Sequence, residues 1–330
     1  MTDDAPRVRH VPDRLGTPLR SAIFSWASLL LCVAIALFIA DALLSPNFLK
    51  PGSLAYATYN FSEKALIALA MALLIIASEI DLSVAAIMAL ASTLMGLALQ
   101  YGVGTPGLVA IGVLTGVACG AFNGFLVTRL NLPSIVVTIG TMSLFRGISY
   151  IILGDQAFKG YPKDFAYFGQ GNAFWIVPFE FVLFLVMAVI FYVILHRTNF
   201  GRRVFAIGNN ATAARFSGVR VERIKFILFC LTGLMSGIAA VLLTSLLGST
   251  RPYIAQGWEL DIVNMVVLGG VSILGGAGSI VGVVLAAFIM GLVTFGLGLL
   301  NVPGIVMSIF IGGLLIIVIA LPIVFRMIRK

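Results

Sequence analysis

The chain has 330 residues, 60% of them hydrophobic and only 10% charged, with a formal net charge of +8 at pH 7 and a mean hydropathy of +1.10. So apolar a composition excludes a soluble domain of this length, and its runs of about 20 apolar residues read as membrane-spanning helices, giving an all-α integral membrane protein. The basic excess does not indicate nucleic acid, because the Lys and Arg residues fall at the ends of apolar runs, where they set topology and meet anionic headgroups.

Residues 1–20 hold Arg7, Arg9, Arg14 and Arg20 and form a polar tail expected in the cytoplasm. The apolar stretch from Ser21 to Leu44 is too long for a signal peptide and runs into Ser45-Pro46-Asn47 without a cleavage motif, so it is expected to be a retained first helix. Ser45 to Glu63 reads as a polar connection in which Pro46 and Pro51 limit helix. The next apolar run is cut at Glu79 and Asp81, predicting two shorter spans, Lys64 to Ala77 and Val84 to Gln100. Leu108 to Thr128 and Ile135 to Leu153 follow, with Asn131 and Pro133 turning the chain between them. Gly154 to Ala173 is polar and aromatic and is placed outside, and Trp175 to Leu195 returns inward.

The longest polar interruption comes next, RTNFGRRVFAIGNNATAARFSGVRVERIK from Arg197 to Lys225, with seven basic residues and one acid, Glu222. Such loops stay on the cytoplasmic side. The alanines Ala211, Ala213 and Ala214 favour helix, Asn209 or Asn210 can cap it, and Ser217-Gly218 can end it, predicting a short surface helix bounded by Gly208 and Gly218. Phe226 to Leu247 then runs outward. Beyond an external loop from Ser249 to Asp261 come a short segment Ile262 to Leu274, a glycine string within Gly269 to Gly282, and spans Ile280 to Leu300 and Gly304 to Phe325, before the basic end at 326–330.

This gives about ten membrane segments, some short or broken, in a single transmembrane unit over residues 21–325 with both termini cytoplasmic. On this topology fifteen of the twenty-one Lys and Arg residues lie inside, the bias that the positive-inside rule requires. The cysteines Cys32, Cys119 and Cys230 lie apart in apolar runs, so neither a disulfide framework nor a metal site is expected. The histidines, His10 and His196, lie in the tail and at a membrane boundary, where neither serves a buried nucleophile. The glycine string lacks the lysine of a nucleotide-binding loop, and no such loop occurs elsewhere, so no cofactor is expected on this chain.

Charged side chains at membrane depth cost about 2.5 to 3.5 kcal/mol, which singles out Glu79, Asp81 and Arg146. Two readings of the acids stand open: a short turn in which Asp81 or Ser83 caps the helix from Val84, or a break whose exposed helix ends line a transport path. Arg146 either neutralises an acid or snorkels to an interface. Polar residues within spans, Asn123, Thr138, Thr141, Ser236 and Asn264, are candidates to touch a solute or to bond between helices.

Four stretches carry a resemblance to one family. Gly208, Asn210, Arg215, Ser217 and Gly218 are similar to the cytoplasmic loop of permease subunits of ribose-type bacterial ABC sugar importers, with Ala211 where an acid is common. Ile80-Asp81-Leu82-Ser83 resembles that family's Gly-Gly-Ile-Asp-Leu-Ser, with Ser78 and Glu79 in place of the glycines, and EIDLSVAA is similar to rhamnose-type permeases. Leu132-Pro133 with Gly140-Thr141-Met142 and Arg146-Gly147, and the glycine string with Val283 in place of threonine, are also similar.

The resemblance implies an importer subunit for a monosaccharide such as rhamnose, ribose or a related sugar in the inner membrane. It implies that Gly208, Asn209, Asn210, Ala213, Ala214, Arg215, Ser217 and Gly218 form a coupling helix against a cytoplasmic ATPase subunit that carries ATP and Mg. The further partners it implies are a periplasmic or lipid-anchored sugar-binding protein and a second permease subunit, identical or paralogous. An ion-coupled secondary transporter using Glu79 and Asp81 is the competing expectation.

Overall fold

A computed structural model of the protein describes residues 26–59, 61–304, 306, 307, 309, 310, 312 and 313. The expected N-terminal tail, the first helix's start at Ser21, most of the span Gly304 to Phe325 and the basic end at 326–330 lie outside the described residues.

Helix α1 covers Trp26–Leu44 and α2 Pro51–Tyr59. The second helix corrects the expected irregular connection: Pro51 stands at the helix's first position, where its missing N–H is no loss and its fixed φ suits the turn. Helices α3 (Ser62–Ile76) and α4 (Val84–Gln100) flank the break at 77–83, and α5 (Thr105–Arg129) and α6 (Ser134–Leu153) follow. The next loop folds into β1 (Phe158–Lys159), α7 (Tyr167–Gln170), β2 (Asn172–Phe174) and β3 (Val177–Pro178) before α8 (Phe179–Arg197). The basic stretch is mostly helical: α9 (Asn199–Asn209), α10 (Ala211–Phe216) and the first turn of α11 (Val221–Leu247). Strand β4 (Ser249–Thr250), α12 (Trp258–Leu268) and α13 (Ile280–Leu299) complete the described elements.

Among the described residues, six helices are long and apolar enough to cross a membrane, or seven if the bent pair α2 and α3 counts as one span. The expected ten includes α4, at 17 residues, and α12, at 11, which are shorter than full crossings, and the span Gly304 to Phe325, most of which lies outside the described residues.

Helix α3 is apolar on every face, the pattern of a helix enclosed on all sides. All its residues but Lys64 are buried, and α8, α11, α12 and α13 pack around it. Lipid tails are as apolar as leucine, so this enclosure is held by packing instead of by escape from water. Ala65, Ala68, Ala70 and Ala72 let neighbours approach closely.

The tightest helix pair is α5 with α11. Gly112, Gly116, Gly120 and Gly124 recur every fourth residue on one face of α5; the first three meet Gly233 and Gly237, and Gly124 meets Phe226 and Phe229. A Cβ on Gly116 would stand 2.3 Å from the Gly233 carbonyl oxygen, and one on Gly233 2.2 Å from that of Gly116. Only glycine permits backbones to touch this way.

The two ends of the bundle differ. At one end the break after α3, the C-terminus of α9 and the glycine string meet. At the other, β1 pairs antiparallel with β4, Phe158 opposite Thr250. There Thr250 bonds Ser92 of α4 at 2.8 Å and the Tyr161 hydroxyl at 2.5 Å, and Thr244 of α11 donates to Ser92 at 2.7 Å.

Candidate functional site

The basic end is built around α10. Its N-cap is Asn210, whose Oδ1 accepts from the Ala213 N–H at 2.9 Å, satisfying one of the orphan donors of the first turn. Ser217 closes the helix, and Gly218, with φ of +83°, turns the chain into α11. Of the residues expected on the docking face, Ala213 is exposed but Ala214 is buried against the protein. The exposed face is instead Thr212, Ala213 and Phe216, and the Phe216 side chain is 89% exposed. Sequence reasoning missed Phe216; an aromatic one helical turn beyond Thr212 in an otherwise small and polar segment was the available signal.

Gly208 does not bound this helix. It lies inside α9, pressed on the chain after α3: a Cβ there would sit 1.7 Å from the Ile76 carbonyl oxygen. Asn209, though exposed, is turned toward the glycine string, donating to Gly276 O at 3.3 Å and Phe205 O at 2.8 Å. The Gly276 N–H donates to Ile76 O at 2.9 Å. Although Ser78 and Glu79 stand where the family has glycines, the backbone at the break is approached closely, by glycines on the partner segments. Ser78 itself adopts φ of +62°, which costs a non-glycine residue roughly 1–2 kcal/mol. Its hydroxyl reaches the Leu274 carbonyl at 3.1 Å and that of Gly208 at 3.3 Å, fastening the break to both neighbours.

Glu79 forms an ion pair with Lys225 of α11, and Arg215 of α10 forms one with Glu222 in the first turn of α11. Both pairs border one cavity of about 250 Å³ shared with Asn131 and Pro133. A chain of alternating charge thus runs from α10 through α11 to the break. The remaining ion pair among the described residues joins Lys64 of α3 to Asp261 of α12 at 2.6 Å.

Two residues beyond Glu79 lies a fully buried polar hub. Asp81 Oδ1 accepts from the Ser83 N–H at 2.9 Å and the Ser83 hydroxyl at 2.6 Å; Oδ2 faces Thr232 Oγ1 at 3.4 Å and Asn123 Nδ2 at 3.5 Å. Asn123 Nδ2 also donates to Ser83 Oγ at 2.8 Å. Rotating the Asn123 amide would turn its oxygen toward the carboxylate, so the donor side is fixed even though Oδ1 has no partner. The hub takes side chains from the break, from α5 and from α11, and both Asp81 carboxylate oxygens are engaged by its own donors. Thr232 was not among the expected residues, since nothing local marks one threonine in α11.

Ser134, at the start of α6, accepts from the Ile80 N–H at 3.3 Å, and Thr138 approaches Ile80 O at 3.5 Å. Thr141 bonds Thr138 O within α6, and Ser236 bonds Thr232 O within α11. Asn264, half-buried on α12, makes no hydrogen bond to the hub. Arg146 neither meets an acid in an ion pair nor snorkels: its Nη1 donates to the carbonyls of Pro252 at 3.0 Å and Ile254 at 2.7 Å. It clamps the loop after β4 at the opposite end. In that loop region burial raises the Tyr161 hydroxyl pKa from 10.0 to about 12, against a smaller lowering by its bond to Thr250.

A multi-span protein with a buried polar hub, and a basic helical end joined by ion pairs to a break in its central helices, is built as a membrane permease component. The chain belongs to the family described as branched-chain amino acid transport system permease component, which matches residues 53–319. It is 33% identical over 302 residues to the autoinducer 2 import system permease protein LsrD of Salmonella paratyphi B, covering 90% of this chain and 91% of that protein. The same-named protein of Yersinia enterocolitica is 34% identical over 296 residues, with 88% of each chain covered. The ribose import permease protein RbsC of Bacillus subtilis is 36% identical over 268 residues, covering 81% of this chain and 83% of that one. No solved structure matches. The chain is accordingly a multi-pass inner-membrane permease subunit and not an enzyme.

Proposed function

We propose that this chain forms, with a second permease subunit, the translocation pathway of an ATP-driven importer for a monosaccharide or closely related small sugar, ribose, rhamnose and autoinducer 2 being the candidates. The substrates named for its relatives support a sugar, and the family supports a separate ATPase and a sugar-binding protein as partners. In this reading the end bearing α9 and α10 is cytoplasmic, as are both termini, and the exposed face of Thr212, Ala213 and Phe216 meets a groove of the ATPase. The observation that carries the reading is the charge chain from Arg215 and Glu222 to Lys225 and Glu79. It gives a push on α10 a short electrostatic route to the break at 77–83. The Asp81 hub then acts as the fixed point about which the break is held, and solute contacts fall to other groups, including those of the second subunit.

The test is reconstitution in proteoliposomes with and without the ATPase and binding protein, following uptake of labelled ribose, rhamnose and autoinducer 2. Uptake of one of these that requires ATP and both partners is the expected result. Uptake by the permease alone, driven by a proton or sodium gradient, would establish a secondary transporter instead.

A further inference from the structure

A cleft of about 1080 Å³ opens between the end of α5 and the start of α11, lined by Phe125, Arg129, Val219, Arg220, Arg223 and Phe226 among others. Arg215 also borders it but is engaged by Glu222. Among the described residues no carboxylate lies within ion-pair distance of Arg129, Arg220 or Arg223, and all three are exposed. Three uncompensated guanidinium groups therefore share one concave site.

The helical spacing adds the second half of the argument. On α5, Phe122, Phe125 and Arg129 stand three and four residues apart, so one stripe runs from exposed aromatics to a guanidinium. Arg220, Arg223 and Ile227 repeat that pattern where α11 begins, with Ile227 exposed on its apolar part. The two stripes meet at the cleft, which Phe125, Arg129, Arg220 and Arg223 line, and the exposed Phe122 and Ile227 continue them past its edge toward the membrane interior. A soluble anion would use the arginines and leave the apolar stripes idle, and an acidic protein surface would do the same. An amphiphile with a phosphate head uses both, since arginine forks match phosphate oxygens and acyl chains lie along exposed Phe and Ile.

We infer that this cleft is a binding site for an anionic phospholipid, with its phosphate among Arg129, Arg220 and Arg223 and its acyl chains along Phe122, Phe125 and Ile227. The site is separate from the outward face of α10 and does not depend on which sugar is carried.

The experiment uses the full chain, purified and delipidated, without the ATPase, and titrated in mixed micelles with cardiolipin or phosphatidylcholine while native mass spectrometry counts bound lipid. Cardiolipin is expected to bind with roughly tenfold or greater preference. The triple variant Arg129→Gln, Arg220→Gln, Arg223→Gln is expected to lose that preference. The triple variant Arg197→Gln, Arg202→Gln, Arg203→Gln, which removes the same charge from the same end, is expected to keep it. Equal binding of the two lipids by the unmodified chain overturns the proposal, as does retention of the preference in the cleft variant or its equal loss in both variants. Full displacement of cardiolipin by inorganic phosphate also overturns it, because the site is then one for a free anion. Should the cleft variant fail to stay monodisperse, Phe122→Ala with Phe125→Ala replaces it, with weakened cardiolipin binding expected and unchanged binding refuting the acyl contact.

Discussion

Lys225→Ala removes the cation that holds Glu79 and should uncouple ATP hydrolysis from transport. The side chains of this pair are 19% and 11% exposed, which places it between two limits. Fully exposed pairs contribute about 0–1 kcal/mol, and removing one partner of a fully buried pair costs about 3–5 kcal/mol. Intermediate burial puts the loss at about 2–3 kcal/mol, nearer the buried limit because the carboxylate left behind is the less exposed partner. That corresponds to roughly 30- to 150-fold in the balance between the fastened and released break. The assay is ATP-dependent sugar uptake by the assembled importer, with ATPase rate measured in parallel, for Lys225→Ala, Glu79→Gln and the double variant. Uptake should fall in each single variant, the double variant should be little worse than either, and the charge-exchanged Glu79→Lys, Lys225→Glu chain should recover part of the loss. Uptake within twofold of the unmodified chain in both single variants, or an interaction below roughly 0.5 kcal/mol in the cycle, would refute the relay.

Ala213→Glu and Phe216→Ser alter the outward face of α10 without touching its cap, and each should weaken ATPase association roughly 30-fold, read by co-purification, because an exposed aromatic anchor is typically worth about 2 kcal/mol or more; membrane insertion should be unchanged. Gly233→Leu places a side chain where a Cβ already stands 2.2 Å from the Gly116 oxygen, so the melting temperature in detergent should fall by an amount equivalent to about 3 kcal/mol or more, whereas Gly140→Ala, which meets nothing within 4 Å, should be near neutral. Tyr161 has a pKa raised from 10.0 to about 12 in the folded chain, so the unfolded state loses this proton first as pH rises. Its contribution to stability is complete below pH 10 and disappears between 10 and 12, and Tyr161→Phe should flatten the decline of detergent stability over that window.

The long spans were legible because a helix that faces lipid or a packed core must be apolar for about 20 residues, and the break at Glu79 to Ser83 was legible because charge there has no cheap explanation in a membrane. Asn210 as a cap and Ser217-Gly218 as a stop were legible because capping is decided within four residues. What escaped was long-range. Glu79 finds Lys225 across 146 residues and Asp81 finds Thr232 across 151, and no local pattern names such partners. Ala214 reads the same as Ala213 in sequence, and only packing shows that one is covered. The fourfold glycine repeat of α5 is different in kind, a spacing visible in the sequence whose meaning depends on the second helix that fits against it.

The seam between α5 and α11 has a mechanical consequence. Where backbone rests on backbone, around Gly116, Gly120, Gly233 and Gly237, there are no long side chains to bend or change rotamer, so at that level the two helices translate or tilt together as one stiff strut. Because the strut carries both Asn123 and Thr232 of the hub, the two helical partners of Asp81 move together when its foot beside α10 is displaced.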